Sequence, residues 1–417
     1  MIFRTSRRTV GVLAALGATA LVLTGCTRAA TTPSGSGSQA ADPGITDTTV
    51  SLGISTPLSG ATAGPGTCSA AGLYSYLEAK DATGGFTFGD GKTRKVNLTY
   101  LDDTYDPAKA VSNYRQLINQ GIFAYVGALG TPTNAAVMPL ANQQKVPQVL
   151  LIAGASLFSD RTKNPWTLGF TPTYVNEGAA YGKLLADAGK PITVATLAQN
   201  DDYGKGYLQG FQQAINGSKV KIVGSATYEP TDTSLDAQVT KLAATKADVL
   251  LSAVSVTPLQ VGVLTKAQAI GWKPRIFLPS NTSTPATILK PGGADAYPAV
   301  YTSSFSKVPT SPAFANDADV KAYNAAFQKY GTKITTTYAP HCVWSYTEGA
   351  ILEKAFAAMK VPTRAAFMKA ITSISQFQAP MMLPGITIDT TDPMNAAVSK
   401  VSLVKYNGEG YAPVGKY

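Results

Sequence analysis

Ile192–Leu197 (ITVATL), Gly206–Asn216 (GYLQGFQQAIN), Val220–Ala226 (VKIVGSA), Leu235–Thr245 (LDAQVTKLAAT), Val249–Val254 (VLLSAV), Pro258–Ile270 (PLQVGVLTKAQAI) and Arg275–Pro279 (RIFLP) follow one another without a break. Short β-branched runs alternate with longer stretches whose apolar residues recur every three or four positions. Strand, helix, strand in this order predicts right-handed βαβ units and parallel sheets.

The same rhythm fills the chain upstream. Strands are expected over Thr49–Ser55, Arg94–Leu101, Phe123–Gly127 and Gln148–Ile152, and helices over Cys68–Lys80, Thr133–Gln144 and Tyr174–Ala188. Another helix should open at Asp106, whose side chain can cap it, with Pro107 at its first position and Val111, Tyr114, Leu117 and Ile118 at helical spacing. Strands at this count suit two α/β domains better than one wide sheet. Downstream, helices are expected over Phe314–Tyr330, Cys342–Met359 and Arg364–Thr372, and closing strands over Ile386–Ile388 and Val398–Tyr406.

Ahead of the first strand the chain is of another kind. Arg4, Arg7 and Arg8 form a basic head, and Thr9–Thr24 carries no charge. That run is short for a permanent span, which needs about 20 apolar residues, and fits a cleaved export signal over residues 1–25. Residues 26–47 are rich in Ser, Thr, Gly, Ala and Pro and read as a flexible tether.

The 417-residue chain holds 38 Gly, 26 Pro and 45% apolar residues, the composition of a compact protein rather than a disordered one. Its formal charge of +10 comes from scattered Lys and Arg. No Arg cluster or basic-aromatic interleaving accompanies it, so nucleic acid is not an expected partner. There is a single histidine, His341, and no HExxH, CxxC, GxSxG or Walker lysine pattern, which removes the common metal, redox and nucleophile chemistries. Of the three cysteines, Cys68 and Cys342 are either a disulfide or two separate buried thiols once Cys26 is set apart.

Two sets of residues carry a family resemblance. Leu23-Thr24-Gly25-Cys26 resembles the lipobox of bacterial lipoproteins, in which the cysteine is lipidated; this implies a chain anchored to the cell membrane outside the cytoplasm. Pro57-Leu58-Ser59-Gly60, Asp102-Asp103, Gly127-Ala128-Leu129-Gly130-Thr131 and Asp202-Tyr203-Gly204-Lys205-Gly206 each follow a strand in order. Together they make Thr49–Lys405 similar to the extracellular solute-binding proteins of the branched-chain amino acid type, the receptors of ABC importers.

The resemblance implies an α/β fold of two lobes, each a mostly parallel sheet flanked by helices, of the type I periplasmic-binding-protein kind. Three crossings would join the lobes around a hinge and a cleft. The N-terminal lobe would take residues 48–170 plus 299–383, and the C-terminal lobe 171–298 plus 384–417. On this plan Cys68 and Cys342 begin two helices of one lobe, which favours a disulfide between them.

Ligands of open α/β sheets sit beyond the carboxyl ends of strands. The resemblance therefore implies a carboxylate clamp at Gly130, Thr131, Ala153 and Ser156, a cleft-facing ring at Tyr203, and contacts from Ser280 and Asn281. Ser59, Tyr105, Asp202 and His341 are further candidates, and Trp166 and Tyr174 could line a pocket. An acidic partner for an ammonium group is expected after Pro279, and none stands there.

The expected function is a monomeric, non-enzymatic receptor that passes a small polar solute to an ABC transporter permease, with no cofactor and no metal. A binding domain that reports to a signalling partner, or a secreted enzyme, are the competing readings.

Overall fold

The computed structural model describes residues 40–416. The expected signal, the expected lipidation site Cys26 and most of the tether lie outside the described residues.

The first sheet is built from β1 (Thr49–Thr56), β2 (Phe86–Thr87), β3 (Thr93–Asp102), β4 (Ala124–Val126), β5 (Gln148–Leu151) and β6 (Thr167–Gly169), in the spatial order β2-β3-β1-β4-β5-β6. Every pairing is parallel except the short β2–β3 edge. Central parallel strands are covered on both faces, which is why β1 keeps Leu52 and Ile54 buried on one face and Gly53 and Ser55 on the other. Its helices are α1 (Ala63–Ala82), α2 (Pro107–Asn119) and α3 (Thr131–Gln144). Asp106 caps α2 as its sequence suggests, accepting the Lys109 N–H at 2.8 Å.

α1 begins five residues before the expected start. Pro65 falls in its first turn, where a missing N–H removes no helical bond, so a Pro-rich stretch still folds as helix.

The second sheet holds β7 (Ile192–Gln199), β8 (Val220–Tyr228), β9 (Val249–Ala253), β10 (Arg275–Phe277), β11 (Val300–Ser304), β12 (Ser402–Tyr406) and β13 (Tyr411–Lys416). Its order is β13-β12-β11-β10-β9-β7-β8, parallel from β8 to β11 and antiparallel at β12 and β13. α4 (Tyr174–Ala186), α5 (Asp202–Ile215), α6 (Asp236–Ala243) and α7 (Thr257–Ala269) belong to this lobe.

The chain crosses between lobes three times. The first passage follows β6. β11, inside the span expected for the first lobe, is hydrogen-bonded in the second sheet, so the second passage follows Ser304. α8 (Ala318–Lys329), α9 (Pro340–Ala358) and α10 (Arg364–Ile371) then pack on the first lobe. Ile386, Ile388, Ala397 and Val398, inside the span expected for the second lobe, lie in the first lobe's apolar core. The Val398 N–H bonds to the Phe170 carbonyl at 3.0 Å, and the third passage leads from there into β12. Ile386–Ile388 is no strand; Ile388 makes one isolated bridge to Phe377.

α1 and α9 lie backbone against backbone. A Cβ on Gly72 would stand 2.0 Å from the Cys342 carbonyl oxygen, so only glycine fits there. The same approach brings Cys68 and Cys342 together, and they are disulfide-bonded across 274 residues of sequence. Among the described residues no helix is long and apolar enough to cross a membrane.

Candidate functional site

In the first sheet β3 and β4 lie on opposite sides of β1, and in the second β8 and β9 lie on opposite sides of β7. Loops leaving such neighbours diverge and open a crevice at the carboxyl ends of the strands. A cavity of about 520 Å3, open to solvent at its mouth, lies between the two crevices. From the first lobe it is lined by Tyr105, Leu129, Gly130, Thr131 and Ile152, and from the second by Tyr174, Glu177, Tyr203, Ser255, Ser280 and Asn281. The amino end of α9 adds His341 and Trp344.

Seven of the residues singled out in the sequence thus line one cavity: Tyr105, Gly130, Thr131, Tyr203, Ser280, Asn281 and His341. Tyr174 joins them. The others stand elsewhere. Ser59 is exposed and donates to Asp102 Oδ2 at 2.6 Å. Asp202 is exposed on the first turn of α5. Ser156 is exposed, and Ala153 is buried beside the wall without lining it. Their loop holds the crossing instead, since the Gly154 carbonyl accepts the Tyr174 N–H at 2.8 Å. Trp166 packs against the first lobe's core.

Tyr105 owes its place to a strained turn. Thr104 and Tyr105 both have left-handed backbone, with φ of 52° and 65°, which non-glycine residues adopt only when held there. The Asp102-Asp103 pair does the holding. Asp102 Oδ1 accepts the N–H groups of Leu58 at 2.9 Å and Thr104 at 2.8 Å, and Asp103 Oδ1 accepts that of Tyr105 at 2.9 Å. Ser55 donates to Asp103 Oδ2 at 2.9 Å. Burial pushes the Asp103 carboxyl up to about 6, against the opposing effect of these bonds. The Tyr105 ring covers Gly130, where a Cβ would come within 2.8 Å of it. Its phenol is raised by burial and by the Asp201 charge, and it lies close to Ser255 and Gln199 of the second lobe.

A second link across the cleft joins the Thr131 hydroxyl to the Tyr174 hydroxyl at 3.0 Å. Tyr174 meets Tyr203 edge-on at 4.6 Å and stacks on Tyr207 at 5.0 Å. Tyr203, 2% exposed, donates its hydroxyl to Asn281 Oδ1 at 2.9 Å. His341 is buried, its Nδ1 has no protein partner, and burial drives it down to about 3, so the ring is neutral.

Glu177 was not legible in the sequence. It sits in the first turn of α4, and α4 brings it to the Ser280 loop. Its carboxylate accepts from the Ser280 N–H at 3.2 Å, the Ser280 hydroxyl at 3.1 Å, the Ser303 hydroxyl at 2.5 Å and the Tyr181 hydroxyl at 3.3 Å. Burial raises its pKa, and the bonds from Ser303 and Ser280 oppose that. Among the described residues no Lys or Arg lines the cavity. The arrangement offers a helix amino end, hydroxyls, an amide and aromatic faces; it offers no paired general acid and base.

Comparison with known proteins agrees with this geometry. The chain belongs to the periplasmic binding protein family, whose sequence pattern matches residues 49–410. It is 27% identical over 205 residues to the Leu/Ile/Val-binding protein homolog 3 of Brucella melitensis, covering 48% of this chain and 53% of the relative. It is 22% identical over 196 residues to the leucine-, isoleucine-, valine-, threonine- and alanine-binding protein of Pseudomonas aeruginosa, covering 46% and 50%. The chain thus spans about half the length of the curated relatives it matches. Among solved structures, the fatty acid ABC transporter substrate-binding protein from Thermomonospora curvata superposes with a TM-score of 0.77 at 22% identity, covering 91% of this chain and 94% of that one. The benzoate complex of a solute-binding protein from R. palustris gives 0.71 at 18% identity, covering 88% and 96%. At such identities the likeness is one of fold.

Proposed function

We propose that the chain is an extracytoplasmic receptor, lipid-anchored at Cys26, that captures a small solute between its lobes and delivers it to the permease of an ABC importer. One observation carries the reading: residues at the carboxyl ends of both sheets converge on one cavity and touch across it. The lobes divide after Ser304 and near Val401. Thr131 and Gly130, at the amino end of α3, suit a carboxylate or an amide carbonyl, because the free N–H groups and dipole of a helix start favour negative charge.

The relatives named for leucine, isoleucine and valine suggest an amino acid. An ammonium group needs an anionic partner, and among the described residues the only carboxyl group lining the cavity, Glu177, is already bonded to Ser280, Ser303 and Tyr181. A carboxylate or amide solute without an amino group fits better. The test is calorimetry with leucine and with 4-methylpentanoate, which differs from it by the amino group alone. Binding of 4-methylpentanoate only is the expected result. Binding of leucine only overturns the solute class, and failure of a broad solute library to bind overturns the receptor reading.

A further inference from the structure

Beside the first cavity lies a second, of about 460 Å3 with the space open to solvent included. The two share Ser280 and Trp344 as wall residues, so they are neighbouring chambers of one cleft. The second runs along the Ser304–Ser306 crossing, between the ends of β10, β11 and β12 and the amino end of α9.

Its lining looks polar in sequence, with six serines and threonines between Ser280 and Ser304. Most of those hydroxyls are turned away. Ser283 donates to the Ser280 carbonyl at 3.0 Å, Ser303 to Glu177, Ser304 to the Ser306 carbonyl at 3.1 Å, and the Ser306 hydroxyl accepts the Trp344 indole N–H at 3.1 Å. The rest of the lining is largely apolar, from Phe305, Val308, Trp344 and Val404 and the rings of Tyr338 and Tyr411, beside the Thr284 and Tyr338 hydroxyls. Trp344 is fixed there by its bond to Ser306 and by stacking on Phe305 at 4.8 Å. No charged side chain lines this chamber.

We infer that the second chamber receives an uncharged apolar tail of the same solute whose polar head occupies the first, so that the preferred ligand is an elongated monocarboxylate. This rests on the receptor reading above, with the carboxylate at α3. An apolar, uncharged, partly enclosed space next to a polar one matches an amphiphile, because burying each methylene is favourable only where no charge or unpaired polar group is buried with it.

The experiment is calorimetry of the full chain with the straight-chain carboxylates propionate, butyrate, hexanoate and octanoate. It is repeated for Ser304→Phe and for Val308→Trp, which fill the second chamber from separate positions and do not themselves line the first. The expected result is an affinity gain of about fourfold per added methylene that levels off when the chamber is full. Both variants should flatten the series while leaving propionate unchanged. Thermal midpoints like the parent's show that a flattened series is not misfolding; if one variant fails to fold, the other decides. Equal affinity for all four acids, or a gain with length that survives both substitutions, overturns the inference and leaves the head-group reading intact. If no carboxylate of any length binds the parent chain, the head-group reading fails and takes the inference with it.

Discussion

Tyr203 and Asp103 show how much single side chains govern here. The Tyr203 hydroxyl is the donor that fixes Asn281, the one amide side chain lining the cavity among the described residues. Tyr203→Phe keeps the ring in its stack and leaves Asn281 Oδ1 without that donor. A hydrogen bond of this kind is worth about 1 kcal/mol, so solute affinity should fall roughly fivefold, read by calorimetry, with little change in thermal midpoint. An unchanged affinity would mean that the ring only packs. Asp103 gives a pH dependence whose sign is set by burial. Its folded pKa of about 6 lies above the ordinary 3.8, so between those values the folded chain holds a proton that the unfolded chain has lost. Its contribution to stability is therefore complete below the ordinary value and is lost as pH rises through about 6. Buried Glu348 shifts in the same direction, and His341, driven down to about 3, loses stability in the opposite sense as pH falls below its usual value. Asp103→Asn should accordingly make stability at about pH 7, relative to that at about pH 4.5, higher than in the parent, measured by urea unfolding. A difference equal to the parent's would show that Asp103 is not the group responsible.

Helices and strands differ in how openly the sequence declares them. α2 is announced by its cap, its N-terminal proline and its apolar stripe, and it forms where expected. β6 and β11 are not announced. TLG and VYTSS have no period to recognise, and each becomes a strand only because a neighbouring strand offers a hydrogen-bonding edge. Residues at strand ends were legible for a related reason, since βα loops point into the crevice whatever their composition. Ser255, directly after β9, obeys that rule and was overlooked. Glu177 lies inside a helix, where a lone acidic residue reads as solvated surface, and only the docking of α4 beside Ser280 shows otherwise. The α1–α9 contact carries its own prediction. Gly72→Ala would place a methyl group against the Cys342 carbonyl and must separate the two helices. Overpacking of this kind costs about 1–3 kcal/mol, visible as a lowered thermal midpoint, whereas Gly262→Ala, with open space around its Cβ on α7, should leave the midpoint unchanged or raise it. Equal effects at the two sites would contradict the close approach of α1 and α9.

At the scale of the whole molecule, contacts bridge the cleft, and two of them sit on the cavity: the Thr131–Tyr174 hydroxyl pair, and the approach of Tyr105 to Gln199 and Ser255. Both require the lobes to be together, so both weight the closed arrangement before any solute arrives. A receptor whose competent state is only partly populated binds with an affinity reduced by that fraction. The Asp102-Asp103 pair stores backbone strain at Thr104 and Tyr105 to aim one ring across the gap, and the strain is repaid only when the ring finds its partners. Tyr105→Ala removes the bridge yet leaves the disulfide and the helices of the first lobe in place. The ligand-free chain should then open, with a larger radius of gyration by small-angle scattering, while saturating solute should restore the parent's closed radius. Apparent affinity should fall roughly fivefold, the fraction of closed molecules lost when a contact worth about 1 kcal/mol disappears. A variant that binds as the parent does, with an unchanged ligand-free radius, would show that closure is driven by solute alone and that the strained turn serves some other end.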